Sequence, residues 1–147
     1  MASDVIDGIY VVLTNTSRQP ESVFEPWNSW GYYSISFEME TGPGKVIKIT
    51  KAPAVFTKNN PGTFVVPPGE QMVFPIKLND DWNAAPPLPI ADEEPVSVAM
   101  KAIYEVRPTP ESSAQKVWIG RVESKNYHLY FRHWIPRTAQ NCTVPNC

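Results

Sequence analysis

Apolar and polar residues exchange places at every second position along much of this chain. Tyr33, Ile35, Phe37 and Met39 alternate with Ser34, Ser36, Glu38 and Glu40, the period of an antiparallel strand with one face in a core and the other in water. "TGPGK" follows as a turn, and "VIKIT" at 46–50 reads as the returning arm of a hairpin. The longest clean pattern is "VSVAMKAIYEVR". Here Val96, Val98, Met100, Ala102, Tyr104 and Val106 share a face, with Ser97, Lys101 and Glu105 opposite.

Two more strands are expected in "TFVVPPGEQMVFPIKL", on either side of Pro67-Pro68-Gly69-Glu70. Met72, Phe74, Ile76 and Leu78 point one way, against Gln71, Val73, Pro75 and Lys77. Pro75 has no N–H for a ladder and so marks an edge strand or a bulge. "GIYVVLTNTS" supplies a first strand, "KVWIGRV" a late one, and "YHLYF" continues that sheet. The sum is seven or eight strands, with turn signals at about the 8–12 residue spacing of a sandwich or barrel. No segment carries a helical period, and no repeat of fixed length is present.

Composition sharpens this picture in one respect. Proline numbers 16 of 147 residues, about twice ordinary usage, which discourages long helices. The residues between prolines are rich in Val, Ile, Thr, Tyr, Phe and Trp, which suit a pleated surface. The rest is ordinary for a globular domain, with 42% hydrophobic and 19% charged residues. A net charge of −2 gives no global basic field for nucleic acid. No apolar run approaches the ~20 residues of a membrane span.

Two stretches fall outside the alternation. Residues 79–95, "NDDWNAAPPLPIADEEP", form a long acidic, proline-rich loop. The end, "PRTAQNCTVPNC", has turn composition. The expected organisation is therefore one sandwich domain over residues 1–135 and a C-terminal tail over 136–147.

The order "NSWGYYSISFE … PPGEQMVFPIKL … VAMKAIYEV … VWIGRVES", after a first strand ending in "LTNTS", resembles immunoglobulin-like β-sandwich modules. It is also similar to uncharacterised modules of secreted bacterial proteins, over residues 5–131. The resemblance implies an all-β fold, a single antiparallel β-sandwich of immunoglobulin-like type, and a secreted or periplasmic protein. It brings no established activity with it. The chain departs from antibody-type domains, because both cysteines stand in the tail and no Cys…Trp…Cys spacing exists. "MASDVIDGIY" has neither a basic n-region nor an apolar h-region, so a leader is expected to have been replaced, with the mature start near Asp4.

Candidate chemistry begins with five tryptophans. Trp27 and Trp30 form either a platform on which a sugar ring or a protein stacks, or a lid over the open end of the core. Trp118, placed within a strand, reads as core. Trp82 stands in the acidic loop beside Asp80 and Asp81, where an exposed aromatic is a contact residue. Asp80, Asp81, Asp92, Glu93 and Glu94 have the oxygen chemistry of a calcium loop but not its spacing, so a solvated acidic loop is expected. His128, His133, Cys142 and Cys147 offer zinc-type ligands. Two histidines five apart on a strand project to opposite faces, however, and no close cysteine pair exists. A disulfide between Cys142 and Cys147 around "TVPN" is the better expectation in an oxidising compartment, with two reduced thiols as the alternative. No metal and no cofactor are expected.

No nucleophile elbow, phosphate loop or H-E-x-x-H is present. Asn15-Thr16-Ser17 and Asn141-Cys142-Thr143 match the short glycosylation pattern. The expectation is a non-catalytic binding or structural module, not an enzyme, which contacts a protein partner through end loops at Trp27, Trp30, Trp82, Asp80 and Asp81. Three other readings stand beside it. They are a carbohydrate-binding module with exposed tryptophans, a peptidase-inhibitor-like sandwich, and an enzyme using His128 or His133 with the acidic loop.

Overall fold

The computed structural model describes residues 6–86 and 96–131. The alternation of the central segments translates directly into strands. Residues Ile35–Gly42 (β3) and Lys45–Lys51 (β4) pair antiparallel, with Phe37 opposite Ile49 and Met39 opposite Ile47. All four side chains are buried on the same face. Val96–Val106 (β8) takes the other edge of β3, setting Ile35 against Tyr104 and Met39 against Met100. On the opposite face the same register sets Glu38 beside Lys101, 3.1 Å apart. One alternation thus makes both a core face and a charged outer face.

The far edge of β8 is shared by two short strands. Tyr127–Phe131 (β10) runs along Val96–Met100, and Gly120–Glu123 (β9) along Ile103–Val106. Between them Ser124 keeps the ladder closed. Its N–H donates to the Ala102 carbonyl and its Oγ accepts from the Ala102 N–H, both at 2.9 Å. Trp82–Ala85 (β7) adds to β4, completing a six-stranded sheet.

The remaining strands make a bent antiparallel ribbon. Ile6–Thr14 (β1) pairs Gln71–Leu78 (β6), and Glu21–Phe24 (β2) pairs Thr63–Val66 (β5). The register passes from Thr14↔Gln71 to Glu21↔Val66, so β1–β2 and β5–β6 are two broken strands that bend together. Asn15 holds the bend. Its Nδ2 donates to the Gln19 and Val66 carbonyls, each at 2.8 Å, and its Oδ1 accepts from the Ser17 N–H at 2.9 Å. Its backbone bonds Gly69 and Glu70, where Gly69 takes the left-handed turn (φ 77°). Pro75 lies in β6, which pairs only with β1 among the described residues; the edge position is what a residue without an N–H tolerates.

The ribbon packs on the inner face of the sheet. Phe74 of β6 meets Tyr104 of β8 at 6.2 Å between ring centroids. Phe37, Met39, Ile47, Ile49 and Leu78 are essentially sealed from solvent in one cluster. The fold is all-β with several antiparallel sheets, compatible with a β-sandwich.

Several expectations change at finer scale. Ten strands, not seven or eight, lie among the described residues. β2, β5 and β7 each have four residues, too short to show a period. Two helical turns were not expected, Ser29–Tyr32 (α1) and Pro110–Ala114 (α2). The second opens with a capping box between Thr109 and Ser112 and ends where Lys116 turns left-handed (φ 52°). "KVWIGRV" is a strand only from Gly120. Val117 instead bridges Ser22 and the chain crosses between layers. The expected tail over 136–147, with Cys142 and Cys147, lies outside the described residues, as do His133, Trp134 and residues 87–95.

Candidate binding surface at the aromatic end

The segment after β2 turns because Asn28 caps α1, its Oδ1 accepting from the Gly31 N–H at 2.9 Å. The helix then seats directly on the chain before it. A Cβ on Gly31 would run into the Glu25 carbonyl oxygen, so only glycine permits this approach. The loop 52–62 is laced to the same turn. Asn59 accepts from the Ser29 N–H and donates to the Ser29 Oγ, while Asn28 Nδ2 donates to the Gly62 carbonyl at 3.0 Å. The Ala54 N–H donates to the Tyr33 hydroxyl at 3.1 Å.

This stitching gathers aromatic rings around α1. Tyr32 meets Tyr33 at 4.9 Å and Phe56 at 5.5 Å, both edge to face. Trp27 meets Phe64 edge to face at 5.2 Å. These rings are held by a scaffold but not covered. Trp27 is 61% exposed, Tyr33 47% and the neighbouring Val55 92%. Exposed large apolar groups held in place by hydrogen-bonded loops make this end a candidate surface for contact with another molecule.

The sequence-predicted residues divide at this end. Trp27 stands in solvent. Trp30 is half-buried, stacked on Phe24 at 6.1 Å, and so belongs with the lid over the core. Trp82 is the correction. It is only 2% exposed and packs on Phe37 at 5.4 Å. The acidic residues before it form a turn rather than an open loop. Asn79 Oδ1 accepts from the Asp81 N–H, the Trp82 N–H returns to the Asn79 carbonyl, and β7 begins there. Asp80 and Asp81 remain exposed on that turn.

Electrostatics tie the turn to the aromatic end. Lys51 lies over both Trp82 (4.3 Å) and Tyr32 (4.8 Å). Burial draws the Lys51 ammonium below its ordinary pKa, against the opposing pull of Asp81. Burial and then the Asp81 charge push the Tyr32 phenol upward. Tyr32, Tyr33, Phe56, Phe64 and Lys51 were missed from the sequence, although "GYY" directly after Trp30 carried the signal.

Other candidates separate from this surface. His128 is exposed on β10 opposite Ala99. No cluster of three or more His, Cys, Asp or Glu able to hold a metal ion occurs among the described residues. The Asn15 amide, in the short glycosylation pattern, is buried and spends both hydrogens on carbonyls. Among the described residues no helix is long and apolar enough to cross a membrane. Compared with known proteins, the chain matches no family model, no curated protein and no solved structure.

Proposed function

We propose that this chain is a non-catalytic binding module, built on an immunoglobulin-like sandwich of an exported protein, that holds a protein partner at its aromatic end. The observation that carries the reading is Trp27. It is a large ring left 61% exposed on a segment fixed by Asn28, Gly31 and Asn59. A rigid aromatic anchor of this kind binds with little ordering cost. Protein is favoured over polysaccharide because Trp27, Trp30 and Trp82 do not make a shared exposed platform; one is in solvent, one half-buried and one sealed. The exposed rings meet edge to face, a relief suited to a contoured partner rather than to a flat sugar ring.

A photoreactive residue placed at Val55, compared with one at Val46 on the outer sheet face, tests this in the native extract. The reading expects a discrete protein adduct from position 55, competed by excess wild-type chain but not by Trp27→Ala. Equal adducts from both positions, or competition by Trp27→Ala as good as by wild type, would overturn it. Binding to insoluble polysaccharide that Trp27→Ala abolishes would replace it with the carbohydrate reading.

A further inference from the structure

A second surface lies away from the aromatic end. A cleft of about 380 Å³ opens between the ribbon and the sheet, floored by Val11, Leu13, Val23, Tyr104, Trp118 and Val122. Its two walls are strand edges. Among the described residues β1 hydrogen-bonds only to β6, and β9 only to β8, so each turns an unpaired edge along the cleft. The chain begins to fill this edge itself. Val117 bridges Ser22 in parallel and the Trp118 N–H donates to the Ser22 carbonyl at 2.8 Å. It then departs at Gly120, whose φ of 153° and contact with the Trp118 ring require glycine. The added strand stops after two residues, and the stretch of β1 from Val11 to Thr14 beyond it lines the open cleft.

We infer that this cleft accepts an extended segment of a partner protein as an added strand, one that alternates small apolar side chains with polar ones and carries a lysine or arginine at one end. The backbone edge supplies main-chain hydrogen bonds, and the apolar floor takes every second side chain. The cation is specified by charge complementarity. The charged groups at the cleft are both carboxylates, Glu21 and Glu123. Glu123 is already neutralised by Lys101 at 2.8 Å and Arg121 at 2.7 Å. Glu21 accepts only from the Ser17 hydroxyl at 3.1 Å and pairs with no cation among the described residues. A basic side chain arriving there completes it; an acidic one is repelled. The site continues the Val117–Ser22 pairing that the fold already contains, and it stands independently of the aromatic end.

The test uses the whole chain and an end-blocked peptide alternating valine and threonine, with one terminal lysine. A second peptide ends in glutamate, and a third carries a central proline. Amide shifts are followed by NMR. The lysine peptide is expected to move amides of β1, β9 and the Trp118 indole, to bind several-fold tighter than the glutamate peptide at low salt, and to lose binding with proline. Glu21→Gln should equalise the two charged peptides while leaving the fold intact, and Val122→Glu should abolish both. Equal affinities in the wild type, shifts confined to other strands, or no binding by the lysine peptide would overturn the inference. So would a concentration-dependent dimer of the chain alone with protected β1 amides, since a second copy would then occupy the cleft.

Discussion

The Lys51 ammonium rests 4.3 Å from the centroid of the Trp82 ring, and the two residues face each other across β4 and β7. The indole also packs, tilted, against Phe37 in the core. Lys51 therefore serves as the outer cover of a buried ring, its stem over apolar surface and its charge toward Tyr32 and Asp81. Lys51→Ala is expected to cost about 1 kcal/mol. Trp82→Ala, which empties the site beneath, is expected to cost about 3–5 kcal/mol. Urea unfolding of the two variants checks the ratio; equal losses would mean that the indole is not core.

Asn15→Ala tests the bend of the ribbon. The substitution strips two carbonyl partners, one of them the buried Val66 oxygen. A loss of about 2 kcal/mol is expected. Asn15→Asp should be worse, since a carboxylate would face the same two carbonyls. Hydrogen exchange should show the opening first in β2 and β5, where the bend is released.

Tyr104 sets an alkaline limit. Its ring meets Phe74 at 6.2 Å and Trp118 at 6.1 Å between centroids, tilted 31° to each. Burial raises its phenol to about 12, only partly offset by the nearby Ser34, with which it makes no well-formed hydrogen bond. The folded state thus keeps a proton that the unfolded state releases near pH 10. Stability is fully present below pH 10 and is lost as pH rises from about 10 to 12, by about 2–3 kcal/mol in all. Tyr104→Phe should abolish this slope and leave stability at pH 7 unchanged or raised, because it removes a buried hydroxyl without a partner. Denaturant midpoints at pH 7 and pH 11 for both proteins decide it.

Two glycines separate backbone from side-chain crowding. At Gly31 a methyl group meets the Glu25 carbonyl, which belongs to the main chain. At Gly62 it meets only the Glu25 carboxylate, the end of a flexible side chain. Gly31→Ala is expected to cost about 1–3 kcal/mol and to loosen the Trp27 segment. Gly62→Ala should stay within about 0.5 kcal/mol. Thermal unfolding with Trp27 exposure as a second readout checks both.

The long strands were legible because one of their faces is buried. Phe37, Met39, Met100 and Tyr104 occupy the inward positions that the alternation assigns them. Strands of four residues were not legible, since "ESVF" and "WNAA" hold too few positions for a period. The polarity of Asp80 and Asp81 points Trp82 outward, whereas the Asn79 turn reverses the chain within three residues and drives the indole inward. The apolar run around Trp118 reads as a strand, but the residue sits on the crossing between layers. Trp27 was readable as a candidate. Its neighbours Phe64 and Phe56 were not, because loop 52–62 folds back through Asn59 and Gly62, pairings between distant segments that no local pattern announces.

The proposed contact surface depends on Trp27 standing in water while Trp82 lies beneath Lys51. Acrylamide quenching of the wild type, Trp27→Phe and Trp82→Phe measures that placement directly. Replacing Trp27 is predicted to remove a readily quenched, red-shifted share of the emission, and replacing Trp82 a protected, blue-shifted one. If Trp27→Phe leaves the quenchable share unchanged, or Trp82→Phe removes it, the placement is wrong and the binding surface built on it fails.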